Sequence, residues 1–200
     1  MRQFDYISEM MTLALQDTPT LRIKGRVTQV IGTIIKAVVP TVKVGEVCLL
    51  RNPGERRKIL DDPKKLPLAI EEMLRWVSPI KNMARTATRD VELRGETVRE
   101  GDKLLLLYHS ANRDERVFHE PQRFIADREP NQHLAFGGYG AHFCLGASLA
   151  RLELRVMFEE LLRWLPDATL ADDAKLPLRP SNFIVGIEHM PIAFTPRELH

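Results

Sequence analysis

The residues with the clearest potential for chemistry lie in the stretch HLAFGGYGAHFCLG, residues 133–146. It places Cys144 behind a run of glycines, which can adopt positive φ and let the backbone lie close to a bulky group. These glycines are Gly137, Gly138, Gly140 and Gly146. A helix is predicted to begin near Gly146, and the N–H groups and dipole at a helix N-terminus favour a thiolate. The loop therefore predicts a presented thiolate, the form of cysteine that ligates metals or attacks carbon.

Several chemistries could use a thiolate at Cys144. His142 could act as the base for a cysteine nucleophile. A glycine-rich backbone instead suits a flat macrocycle, with Cys144 as the axial ligand of its iron. Zinc fits poorly, because a structural site needs four ligands in paired spacings and Cys48 is remote. Phosphate binding also fits poorly, because no Lys-Ser/Thr pair follows Gly140 and a dinucleotide-binding loop would need a third glycine.

The cysteine loop resembles the haem-binding signature of the cytochrome P-450 family. The matching residues are Phe136, Gly140, His142, Cys144 and Gly146. The resemblance implies that Cys144 is the catalytic residue and the metal ligand, bound to the iron of haem b, iron protoporphyrin IX. It implies that Phe136 packs beside the sulfur, that His142 hydrogen-bonds a haem propionate, and that the glycine-rich backbone, including Gly138, lies against the cofactor.

Glu72 and Arg75 lie three residues apart on a predicted helix and could form an ion pair on one face. Such pairs are usually solvated and add little stability. Glu-x-x-Arg upstream of the cysteine loop nevertheless resembles the family's buried pair, which a Pro-x-Arg-Phe segment completes. That segment here contains Arg123. The resemblance therefore implies a structural role for Glu72, Arg75 and Arg123 in fixing the coil before the loop.

Short strands are predicted between these motifs, and together they form a small antiparallel sheet. Their ranges are Arg85–Thr88, Val91–Leu93, Thr97–Val98 and Lys103–Tyr108. The resemblance places Arg85 against a haem propionate, which suits the forked donors of a guanidinium. The alternative is an exposed strand arginine, and Arg89 and Arg94 lie close enough in sequence to compete for the role.

Hydrophobic spacing and turn residues predict the remaining elements. We expect helices over Phe4–Leu15, Asn52–Leu60 and Leu68–Val77, short strands or a broken helix over Val27–Leu50, and a hairpin from Asn182–Ile187 and Pro191–Phe194. The helix after Cys144 carries two apolar lines and is predicted to be largely buried. The first line is Leu145, Leu149, Leu152 and Val156, and the second is Leu154, Phe158, Leu161 and Leu165.

Composition excludes several classes of partner. The 29 basic and 27 acidic residues leave a formal charge of +2, which gives no reason to expect nucleic acid or an acidic membrane as partner. Two cysteines do not make a disulfide framework, and a reducing compartment follows because an oxidised Cys144 could not ligate iron. Charged residues and a proline interrupt the apolar stretch Val27–Leu50. We therefore expect a cytoplasmic protein without a membrane anchor.

The resemblance covers residues from about Leu50 to Phe194, so we divide the chain into a divergent segment, 1–50, and a haem-binding C-terminal part, 51–200. Family members carry an oxygen-activating helix with an acid-alcohol pair, Asp or Glu followed by Thr, and the sequence has no such motif. Elements that cap the distal haem face are also missing. These differences predict a truncated chain in which haem would be open to water.

The expected fold is α+β and mainly helical: the C-terminal portion of the cytochrome P-450 fold with small antiparallel sheets. The resemblance implies a monooxygenase that inserts one oxygen atom of O2 into an apolar small molecule of the steroid, terpenoid or lipid class. Electrons would come from NAD(P)H through a ferredoxin-type or reductase partner. Two alternatives stay open: a non-catalytic haem-binding remnant, and a cysteine-nucleophile enzyme with His142 as base.

Overall fold

The computed structural model describes residues 26–31, 34–38, 46–171 and 175–195, so the predicted helix Phe4–Leu15 lies outside the described residues. The elements in chain order are β1 (Arg26–Ile31), β2 (Ile34–Val38), α1 (Glu46–Arg51), α2 (Pro53–Asp61), a 3-10 turn (Pro63–Lys65), α3 (Leu66–Val77), β3 (Asn82–Thr86), β4 (Val91–Leu93), β5 (Glu96–Val98), β6 (Lys103–Leu107), α4 (Tyr108–Ala111), α5 (Ala147–Trp164), β7 (Thr169–Leu170) and β8 (Ile192–Ala193). The predicted α+β fold with small antiparallel sheets is confirmed.

The strands form two-stranded antiparallel sheets. The predicted strands of the central region are present, but they divide into two sheets, with β3 paired to β6 and β4 paired to β5. The stretch Val27–Leu50 was predicted to form either short strands or a broken helix. It contains most of β1, all of β2 and most of α1.

The predicted hairpin near the C-terminus is wrong. Ile192 in β8 pairs with Leu170 in β7, and Ile184 forms an isolated bridge with Ile80. The two segments therefore take hydrogen-bond partners from distant parts of the chain. The turn residues between them permit a hairpin but do not require one, because pairing is decided by whichever backbone edge is available.

Helix α3 forms the centre of the core. It ends at Ser78, which adopts a left-handed φ of 45° and whose N–H donates to the Leu74 carbonyl at 2.9 Å. The buried core surrounds its apolar face and joins it to α5. The core residues are Cys48, Leu49, Ile59, Leu66, Ala69, Ile70, Met73, Leu74, Phe124, Ala126, Leu154 and Phe158.

The prediction that α5 is largely buried holds for only one of its two apolar lines. Leu154 and Phe158 are buried against α3, and Leu161 and Leu165 are half-buried. The other line is exposed: Leu145, Leu149, Leu152 and Val156. Since α3 covers one side of α5, the second line would need another element to cover it, and none of the described residues does so.

Candidate functional site

The cysteine loop is built from two turns, and both use a glycine with positive φ. Gly137 has φ 86° and donates its N–H to the Leu134 carbonyl at 2.9 Å. Gly140 has φ 95°, and its carbonyl accepts from the Phe143 N–H at 3.1 Å. L-residues with side chains rarely adopt this conformation, so these two positions favour glycine. Gly146 instead has φ −83° and immediately precedes α5.

Cys144 lies at the start of α5 with its thiol exposed. Its N–H donates to the Phe136 carbonyl at 3.0 Å, and its carbonyl accepts from the Ala147 N–H at 3.2 Å. Cys48 is different, because burial raises the pKa of its thiol to about 12. Of the two cysteines, Cys144 is therefore the one that can present a thiolate to an external partner.

Three other predicted site residues, His142, Arg85 and Gly138, lie at the surface. His142 is exposed, and among the described residues the structure shows no hydrogen bond between its ring and the Cys144 thiol. Arg85 lies opposite Leu104 in the β3–β6 sheet and donates to the Ala84 carbonyl at 2.8 Å. Gly138 is also exposed. Arg85 and His142 share no hydrogen-bond partner among the described residues. Their predicted contacts with the haem propionates stay predictions.

Glu72 and Arg75 form a fully buried pair, each with a side chain 0% exposed. Arg75 Nε donates to Glu72 Oε2 at 2.7 Å, and Arg75 Nη2 donates to Oε1 at 2.8 Å. The Ile125 N–H also donates to Oε1 at 2.8 Å. Arg75 Nη1 donates to the carbonyls of Asn112 and Pro121, at 2.7 and 3.0 Å. The pair is thus a hub that binds distant coil segments, not a solvated surface pair.

The prediction of Arg123 as third member is wrong. Its side chain is 63% exposed and pairs with Glu120 at 2.6 Å. Arg128 takes the buried place, with a side chain 5% exposed and Nε 2.9 Å from Glu72 Oε2. Arg123 contributes only its carbonyl, which accepts from Arg75 at 3.1 Å and from Arg128 at 3.0 Å. The backbone turns the Arg123 carbonyl inward and leaves its side chain outside.

Asn112 links this hub to the cysteine loop. Its Oδ1 accepts from the Leu134 N–H at 2.7 Å, and its Nδ2 donates to Ser78 Oγ at 2.8 Å. Asn112 is fully buried, as is Ser78. The first turn of the cysteine loop is therefore tied to the end of α3 through one side-chain amide.

Three residues near the cysteine loop form a cluster that sequence analysis missed: Glu71, His133 and Arg151. Glu71 accepts from Arg151 at 2.7 and 2.8 Å, and it is 2.9 Å from His133 Nε2. Arg151 lies 4.6 Å from the centre of the Phe136 ring. Since 80 residues separate Glu71 from Arg151, no local spacing in the sequence indicates the pair.

A cavity of about 910 Å³ lies beside this region. Its wall includes Phe136, the α5 residues Ala150 and Leu154, and the polar side chains of His109 and Arg113. Arg113 Nη1 is buried without a hydrogen-bond partner within the described residues. Burial and the nearby Arg113 and Lys81 lower the pKa of His109. The volume lies within the range of about 300–1,000 Å³ typical of ligand pockets, and the orphaned guanidinium nitrogen suits a carboxylate.

The described residues contain no group of three or more His, Cys, Asp or Glu side chains that could hold a metal ion. The same residues contain no helix both long and apolar enough to span a membrane.

The sequence is similar to known proteins over most of its length. The sequence profile of the family described as Cytochrome P450 matches residues 53–182. The chain is 54% identical over 156 residues to a steroid C26-monooxygenase of Mycolicibacterium smegmatis, covering 78% of this chain and 39% of that protein. It is 48% identical over 152 residues to a methyl-branched lipid omega-hydroxylase of Mycobacterium bovis, covering 76% of this chain and 35% of that protein.

The fold was also compared with solved structures. The crystal structure of CYP109E1 from Bacillus megaterium in complex with testosterone matches with a TM-score of 0.71 and 35% sequence identity. This match covers 75% of the chain and 41% of the solved one. The chain spans about two fifths of the length of the curated relatives it matches first. The division at residue 50 stays a prediction, although the profile match begins close to it.

Proposed function

Because the chain belongs to the cytochrome P-450 family, we propose that it is the haem-bearing part of a monooxygenase, with Cys144 as the axial ligand of haem b. The observation that carries this proposal is that Cys144 is exposed just before α5, in a loop where its backbone N–H donates to the Phe136 carbonyl at 3.0 Å. Relatives named as a steroid C26-monooxygenase and a lipid omega-hydroxylase support the reaction class.

The residues present fit haem in the chemistry of their donors. Cys144 offers a single soft ligand, and Gly137 and Gly140 keep side chains away from the loop's surface. Exposed apolar residues beside the thiol, Phe143 and Leu145, offer a surface for a flat apolar ring. When bound, haem supplies the iron that activates oxygen, and thiolate ligation favours O–O cleavage.

The chain's own residues would bind and orient that group. Phe136 would pack beside the sulfur, and the glycine-rich backbone, Gly138 and Gly146 included, would lie against the ring. Arg85 and His142 stay proposed partners of the propionates. The unpartnered Nη1 of Arg113 gives the cavity wall a further donor for a carboxylate.

For substrate, we propose an apolar molecule of the steroid, terpenoid or lipid class, because the relatives' names include a steroid and a methyl-branched lipid as targets. The co-reactants would be O2 and electrons from NAD(P)H, delivered by a ferredoxin-type or reductase partner. The net reaction inserts one oxygen atom into the substrate, and the other leaves as water. We propose a cytoplasmic location because an oxidised Cys144 could not ligate iron, which favours a reducing compartment.

A second candidate is a haem-binding chain without turnover. Two observations favour it: the sequence lacks the acid-alcohol pair of the oxygen-activating helix, and α5 exposes the apolar line that includes Leu149 and Leu152. The missing pair would leave the chain without its proton donor for oxygen, and the exposed line would leave one face of α5 without a packing partner among the described residues.

Haem reconstitution of the full chain tests the ligand assignment. We expect a strongly red-shifted Soret band in the reduced carbon monoxide complex, lost in Cys144→Ser and retained in the matched control Cys48→Ser. An unchanged spectrum in Cys144→Ser would contradict the assignment. Assays with a steroid, a methyl-branched fatty acid, NAD(P)H and a ferredoxin system then separate the two candidates, because only the monooxygenase yields a hydroxylated product.

A further inference from the structure

Glu71 contacts both sides of the cysteine loop. Its Oε1 accepts from Arg151 Nε at 2.7 Å, and its Oε2 accepts from Arg151 Nη2 at 2.8 Å. Oε2 also lies 2.9 Å from His133 Nε2. His133 is the first residue of the loop stretch, and Arg151 lies on α5, which follows the loop. One carboxylate on α3 therefore holds the chain before and after Cys144.

The His133 ring has a defined tautomer in this cluster. The Ala135 N–H donates to His133 Nδ1 at 3.2 Å, so Nδ1 is an acceptor and Nε2 carries the proton that is donated to Glu71. The side chain is only 2% exposed. A buried imidazole that accepts from a backbone N–H and contacts a carboxylate fixes the start of the loop stretch against α3.

Arg151 extends the contact from Glu71 to the residue bonded to Cys144. Its guanidinium lies 4.6 Å from the centre of the Phe136 ring, within the range of a cation–π interaction. The Phe136 carbonyl accepts the Cys144 N–H at 3.0 Å. The sequence of contacts is thus Glu71 to Arg151, Arg151 to the Phe136 ring, and the Phe136 carbonyl to the Cys144 backbone.

The charge of Glu71 persists under ordinary conditions. Burial by itself would raise the pKa of this carboxyl, but the bonds from Arg151 and His133 outweigh burial and lower the pKa to about 2. The same ion pair raises the pKa of Arg151. Glu71 is therefore ionised near neutral pH, and its bidentate contact with Arg151 is an ion pair there.

We propose that Glu71 is a positioning residue for the Cys144 loop, holding His133 and Arg151 so that Phe136 keeps the cysteine backbone in its ligating conformation. This proposal rests on the proposed function only in taking haem as the group that Cys144 ligates. Its geometric part, the restraint of the loop by a carboxylate of α3, applies to the chain with or without haem.

Amide hydrogen exchange of the haem-free full chain tests the geometric part. Glu71→Gln keeps the side chain's size and removes its charge, and we expect the Cys144 and Gly137 amides to exchange about tenfold faster. The matched control is Glu159→Gln, which removes the exposed Arg155–Glu159 pair (2.8 Å) on α5. In this control we expect the amide exchange rates of the loop to be unchanged. In both variants we expect unchanged exchange rates at core amides such as that of Phe158.

Two results would overturn the proposal. One is loop exchange in Glu71→Gln equal to that in Glu159→Gln, because Glu71 would then restrain nothing in the loop. The other is equal acceleration throughout α3 and α5, because Glu71 would then act on global stability alone.

A second measurement uses the haem-loaded chain. We expect Glu71→Gln to lower the fraction of reduced carbon monoxide complex with the red-shifted Soret band, and Glu71→Asp to restore part of it. An unchanged fraction in Glu71→Gln would overturn the effect on ligation. If the unmodified chain takes up no haem, the proposed function fails, whereas the exchange result still decides the role of Glu71.

Discussion

Replacing Arg128 tests the assignment of the third member of the buried hub. Arg128 donates to Glu72 Oε2 at 2.9 Å and to the carbonyls of His119, Glu120 and Arg123 at 2.5, 3.2 and 3.0 Å. Arg128→Met keeps much of the apolar stem and removes all four bonds. Breaking a buried pair by removing one partner costs about 3–5 kcal/mol. Glu72 keeps its bonds from Arg75 and the Ile125 N–H, so we expect the lower end, about 3 kcal/mol.

The matched control is Arg123→Met, at the position that sequence analysis assigned to the hub. Among the described residues its guanidinium pairs with the exposed Glu120, and the substitution keeps the backbone carbonyl that serves the hub. We therefore expect no resolvable change in the free energy of unfolding of this variant.

Urea unfolding followed by tryptophan fluorescence measures both variants, since one of the two tryptophans, Trp76, packs edge-on against Phe124 at 6.1 Å beside the hub. For a chain of this size, a loss of about 3 kcal/mol lowers Tm by about 6–12 °C. The reasoning is refuted if Arg123→Met is destabilised as much as Arg128→Met, or if Arg128→Met unfolds like the unmodified chain.

Three further predictions concern the cysteines, acid stability and α5. A maleimide should label Cys144 in the folded haem-free chain and leave Cys48, whose thiol is buried and has a pKa of about 12, unmodified. Mass spectrometry measures the labelling of each cysteine, and labelling of Cys48 at a rate similar to that of Cys144 would contradict its burial. Because the pKa of Glu71 falls from about 4.5 in the unfolded chain to about 2 in the folded one, its ionised carboxylate stabilises the fold above pH 4.5, and this contribution is lost as pH falls towards 2. Glu71→Gln should therefore make Tm depend less on pH between 4.5 and 2. An unchanged dependence of Tm on pH would refute the lowered pKa of Glu71. Phe158→Ala should cost about 3–5 kcal/mol in urea unfolding. Leu152→Ala, on the exposed line, should cost far less, and equal losses would contradict the assignment of the two faces.

Sequence reasoning succeeded where residues close in the chain decide the outcome. Glu72 and Arg75 share one helix face because helical geometry brings residues three apart together. The positive φ values at Gly137 and Gly140 follow from the glycine-rich turns. Burial of Leu154 and Phe158 follows from their spacing, but their spacing does not distinguish them from the exposed line on the same helix.

Sequence reasoning failed where contacts depend on how the backbone turns in segments without regular secondary structure. Arg123 and Arg128 lie on the same coil, and both precede the cysteine loop. Which guanidinium points inward depends on backbone turns, including the left-handed Glu120 at φ 45°, that no periodic pattern encodes. The partners of Ile184 and Ile192 were missed for a similar reason, because each pairs with a segment far away in sequence.

Two consecutive acidic residues of α3, Glu71 and Glu72, hold different segments of the candidate site. Successive residues on a helix point about 100° apart, so Glu71 and Glu72 project in different directions from one backbone. Glu72 lies fully inside, where it binds the coil that carries Arg128, whereas Glu71 lies at the edge, where it binds Arg151 and His133. The coil before the loop and the loop itself are thus both held by side chains of the same helix. A rotation of α3 would therefore move both segments together.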